Sequence, residues 1–97
     1  MNTFKIFTMK SPTHELVCDM MHIDELVIDY IESDAVMSNT AKATVIIDNF
    51  RKLSMDINNN NTITTDDKYA LGGMLYFMLR NYLTMLDESS MMLKITL

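Results

Sequence analysis

The sequence predicts a mainly α protein: a small three-helix bundle, one domain over residues 1–97, with short extended segments at the N- and C-termini. Three observations predict it. Apolar residues recur at three- and four-residue steps over three separate stretches. Helix-start residues stand ahead of each stretch: Ser11-Pro12, Ser38-Asn39 and Thr65. Polar segments divide the stretches, and the chain holds just 2 Gly and 1 Pro to break helices elsewhere.

Taken in order, residues 2–8 read as a short strand, because Phe4 and Ile6 alternate with Thr3, Lys5 and Phe7. Residues 91–97, MMLKITL, read similarly, so the two ends are expected to pair as a ribbon or to add to a partner's sheet edge. A first helix is predicted near 12–33, where Leu16, Met20, Ile23, Val27, Tyr30 and Ile31 share a face opposite Glu15, Asp19, Glu25, Asp29 and Glu32. The second, near 39–55, buries Ala43, Ile46, Ile47, Phe50, Leu53 and Ile57; the β-branched run ATVII inside it favours a strand locally, but the stripe continues through Phe50 and Leu53. The third, near 66–87, starts with Asp66 and Asp67 where the helix dipole favours acids. Its stripe is Leu71, Met74, Leu75, Met78, Tyr82, Met85 and Leu86, and Tyr76, Phe77, Leu79 and Leu83 load the other sides. An all-round apolar helix is either central in the bundle or a symmetric dimer interface, for which Tyr76, Leu79 and Leu83 are the candidates. Gly72-Gly73 weakens it by roughly 1 kcal/mol per residue relative to Ala, a cost that a close helix contact would offset.

Composition narrows the function. A net charge of −5 lacks the basic footprint of a nucleic-acid or anionic-membrane binder. Cys18 stands alone, so no internal disulfide forms; with no secretory leader pattern in MNTFKIFTMKSP, a cytoplasmic protein is expected. The apolar run 69–86 is short for a membrane span and carries Arg80. Met is abundant, at 11 residues, and this flexible thioether suits irregular cores and adaptable binding surfaces.

Three constellations bear on chemistry. Between Lys10 and Lys42 there is no Lys or Arg, but there are seven acids, Glu15, Asp19, Asp24, Glu25, Asp29, Glu32 and Asp34. Glu15/Asp19 and Glu25/Asp29 repel at i, i+4 spacing, and a basic partner surface would relieve that repulsion. His14, Cys18 and His22 are spaced four apart, but positions eight apart on a helix are about 12 Å apart, too far for one ion to join all three. The third is Asp56 to Asp67, DINNNNTITTDD. This segment resembles the twelve-residue calcium loop of the EF-hand, and more closely that of the dockerin family. The resemblance implies Asp56, Asn58, Asn60 and Asp67 as calcium ligands and Ile63 as the apolar eighth position, with Asn61 departing from the expected glycine. No phosphate loop, nucleophile elbow or zinc-protease motif is present, so no catalytic residues are expected.

The resulting expectation is a small acidic, non-enzymatic binding protein without an obligatory cofactor. It is an inhibitor or adaptor that covers a basic surface of a target protein through Glu15, Asp19, Glu25, Asp29 and Glu32. Its composition is similar to that of phage or bacterial accessory and immunity proteins, a likeness that rests on no shared motif. A homodimer built on the third helix and a weak calcium binder are the alternatives.

Overall fold

A computed structural model describes residues 13–33 and 36–94, with side chains over 20–33 and 36–93. Helix α1 spans Thr13–Ile31, α2 Asn39–Asn59 and α3 Thr65–Met85, and a 3₁₀ helix follows at Ser89–Lys94. The three-helix bundle is therefore present. The Ser11-Pro12 start and the strand expected at 2–8 lie outside the described residues. At the other end, residues 91–94 belong to the 3₁₀ helix rather than to the strand expected at 91–97, and 95–97 lie outside the described residues. Half-buried Met91 and Met92 pack on the core, where the two-turn 3₁₀ helix seats both thioethers without leaving an unpaired strand edge.

Local chemistry sets each boundary. Ser38 caps α2, its hydroxyl accepting from the Ala41 amide at 3.1 Å. Thr64, one residue ahead of the predicted Thr65, caps α3 by accepting from the Asp67 amide at 3.2 Å. Helix α3 ends in a Schellman turn: Asp87 takes φ 58°, its amide bonds Thr84, and the Glu88 amide reaches the Leu83 carbonyl at 2.7 Å. Helix α2 runs to Asn59, four residues beyond the expected end, because Ile57 is buried and Lys68 Nζ donates to the Asn58 carbonyl at 2.8 Å. At the opposite end of this hairpin, Asn39 Nδ2 donates to the Leu86 carbonyl at 3.1 Å.

Helix α3 is central. It packs against α1, against α2 and against the 3₁₀ helix. The core joins Met20, Ile23 and Val27 of α1, the whole predicted stripe of α2, and Leu71, Leu75, Leu79, Tyr82 and Leu83 of α3. Phe50 and Tyr82 meet edge to face at 5.8 Å in its middle.

The C-terminus of α1 has no basic residue of its own in the last turn. Lys42 supplies the charge from α2: 5% exposed, it donates Nζ to the carbonyls of Ile31 at 2.9 Å and Ser33 at 3.1 Å. Lys42→Met would keep the packing and lose both charged bonds. It is expected to cost about 1–3 kcal/mol, read as a lower urea midpoint at unchanged slope. A midpoint equal to wild type would show that these bonds do not hold α1 to α2.

Candidate functional site

Two surface features stand out after the core is accounted for. The first lies between α1 and α3. Met20, Met21, Asp24 and Glu25 occupy one and a half turns of α1, and Met74 and Met78, one turn apart on α3, face them. Together they line a groove of about 380 Å³. Met20 is buried at its base, Met74 and Met78 are half-buried, and Met21 is 66% exposed at the lip. Unbranched thioethers repack at low cost, so such a wall adapts to differing apolar partners.

The rim of this groove is acidic. Asp24 is fixed there, because its carboxylate accepts a hydrogen bond from the hydroxyl of Tyr82, a side chain with no exposed surface. Burial first, and then the neighbouring Asp24 carboxylate, push the Tyr82 phenol far above the usual tyrosine range. Glu25 projects beside Asp24, Asp29 continues along the same exposed side of α1, and exposed Glu32 follows in the turn just past its end. None of these three is ion-paired with a described residue. Glu15 and Asp19 belong to α1, but their side chains lie outside the described residues, as do those of His14 and Cys18; His22 is exposed.

Asp24 and the four methionines were not singled out from sequence as a site. The signal for Asp24 is its position four residues after Met20 and three before Val27, where an acid interrupts a buried stripe. A carboxylate there needs a donor from another element. A larger groove of about 420 Å³ runs between α2 and the 3₁₀ helix, lined by Thr44, Ile47, Asp48, Arg51, Ser90, Met91 and Leu93. Its two charges approach each other to 4.0 Å, as Arg51 with Asp48, so it offers a charged partner little net field.

The second feature is the outward face of α3. Tyr69 is 78% exposed, Phe77 71% and Tyr76 46%, with exposed Gly73 among them. The expected dimer interface is corrected by this arrangement. Leu79 and Leu83 have no exposed surface, since α3 turns them toward the interior, and only Tyr76 of the three faces outward.

The segment that resembles a calcium loop has a different backbone from the one the resemblance implies. Asp56 and Asn58 stand within α2 and Asp67 within α3, leaving Asn60–Thr64 as the whole connection. Residues two apart on a helix do not face each other, so Asp56 and Asn58 do not converge on one ion there. Asn60 Oδ1 is instead used locally, accepting from the Thr62 amide at 2.8 Å and hydroxyl at 2.6 Å, and Ile63 is buried in the core. Among the described residues no His, Cys, Asp and Glu side chains gather as a metal-holding cluster, and no helix is long and apolar enough to cross a membrane.

No protein-family model matches the chain, and no curated protein or solved structure gives a significant match. The class defined by the fold is a small helical bundle, and its surface carries the functional argument.

Proposed function

We propose that this protein is a non-enzymatic binding module, an inhibitor or adaptor that captures a basic amphipathic segment of a target protein. Apolar side chains of the segment enter the groove of Met20, Met21, Met74 and Met78, and its lysines and arginines meet Asp24, Glu25, Asp29 and Glu32. The observation that carries this reading is the coincidence of a thioether-lined groove with a carboxylate rim on one side of α1. Helix-in-groove recognition uses this combination: apolar anchors at i, i+3/i+4 and i+7 give affinity, and opposite charge gives approach rate and partner choice. Relief of the Glu25/Asp29 repulsion adds to the gain on binding.

The test uses a helical peptide of leucine and lysine with its leucines on one face, titrated by fluorescence anisotropy at two salt concentrations. Binding is expected, and it should weaken as salt rises. Reversing Glu25, Asp29 and Glu32 to Lys together should lower affinity by about tenfold or more, with the far-UV helical signal intact because all three are exposed. Affinity unchanged by the triple reversal would remove the acidic surface from the interaction.

A further inference from the structure

We propose that two copies of this chain pair through the outward faces of α3, antiparallel, with the helices crossing at Gly73. The inference is independent of the methionine groove and rests on a different side of α3.

The face is self-complementary about one residue. Asp66 and Arg80 stand seven residues on either side of Gly73, Tyr69 and Phe77 four on either side, and Ala70 and Tyr76 three. Helical spacing puts all of them on one side of α3, and all are exposed. When a second α3 is laid antiparallel with Gly73 over Gly73, each Asp66 meets the Arg80 of the other copy. Each Tyr69 meets a Phe77, and each Tyr76 meets an Ala70. A two-fold axis makes every one of these contacts twice. At a shallow crossing of about 20° the axes drift apart by about 4 Å at the seventh residue, within reach of an arginine.

Two further observations fit this occupant. Gly72 and Gly73 have ordinary helical φ, and a methyl group added at either would meet nothing within 4 Å in its own chain. The bundle therefore does not explain the glycine at the centre of the face, whereas a crossing backbone does. Asp66 and Arg80 form no ion pair with a described residue, so each charge remains available for the other copy. A face one helix wide is small for an interface, so the dimer should exchange with monomer at micromolar concentration rather than be obligate.

Sedimentation velocity on the full chain between about 10 and 500 µM tests this. The sedimentation coefficient should climb from the monomer to the dimer value. Gly73→Leu should melt at the wild-type temperature or above and yet stay monomeric throughout. Arg80→Asp should weaken the dimer about tenfold or more. Adding Asp66→Arg to it should restore the dimer, because the pair is exchanged across the two-fold axis. A wild-type monomer at every concentration would overturn the proposal. So would a Gly73→Leu dimer of wild-type strength, or a double variant no stronger than Arg80→Asp alone.

Discussion

Leu79→Glu and Leu83→Glu are each expected to abolish the cooperative fold rather than release a soluble monomer. Both side chains have no exposed surface in a single chain and belong to the cluster that joins α3 to its neighbours. A carboxylate at either position would be buried without a donor, at a cost of several kcal/mol added to the lost leucine packing of about 2–5 kcal/mol. A domain of this size has about 5–15 kcal/mol of stability in all. The expected readout is a collapsed far-UV signal with no sharp thermal transition. Phe77→Glu is the control on the same helix: 71% exposed, it should remain helical and melt cooperatively. A folded Leu79→Glu protein would mean that α3 is rotated about its axis, with its apolar surface differently apportioned between core and exterior.

That apportioning is where the sequence was least legible. The stripe of α2 could be read residue by residue, because its opposite face is polar; Ala43, Ile46, Ile47, Phe50, Leu53 and Ile57 are all buried. The stripe of α1 held at Met20, Ile23 and Val27 for the same reason. Helix α3 is apolar on nearly every side, so periodicity does not choose among its faces. The stripe predicted for α3 includes Met74, Met78 and Met85; of these Met85 is 43% exposed, while Leu79 and Leu83 are buried on the other flank. Three neighbours surround α3, and only their positions decide the matter. The Asn-rich segment misled differently. Asparagine is a poor helix former, which suggested a loop from Asp56, but burial of Ile57 outweighs a propensity cost of about 0.7 kcal/mol per residue and carries α2 to Asn59. Partners distant in sequence, such as Lys42 with the α1 terminus and Tyr82 with Asp24, require the packed bundle to bring them together. Half of the candidate site, the acids of α1, was therefore readable in advance, and the methionine groove was not.

Tyr82→Phe is expected to lower stability at neutral pH and to change how stability responds to alkali. The hydroxyl donates to Asp24 across 58 residues of chain, and removing it takes a donor from a partly buried carboxylate, at about 1.5–3 kcal/mol. The pH dependence follows from the raised phenol. Below about pH 10, tyrosine is protonated in both the folded and the unfolded chain, and the stabilisation from this group is fully present. Above that value the unfolded chain loses the proton and the folded one keeps it. The folded state then binds more protons, and stability falls by up to about 1.4 kcal/mol per pH unit from this group. Burial also raises Tyr30, which adds to the wild-type slope in the same direction. The variant retains every other titrating group, so the difference between the two proteins isolates Tyr82. Urea unfolding at pH 7, 9, 10.5 and 11.5 should show the wild-type advantage constant at first and then shrinking. An advantage that stayed level to pH 11.5 would mean that the phenol ionises as readily in the fold as outside it. Asp24 would then owe its place at the rim of the groove to something other than this bond. Because Asp24 is the acid held fixed beside the methionines, Tyr82→Phe should also weaken capture of the basic peptide while leaving Glu25, Asp29 and Glu32 in place. The core tyrosine thus ties the stability of the bundle to the shape of its proposed binding surface.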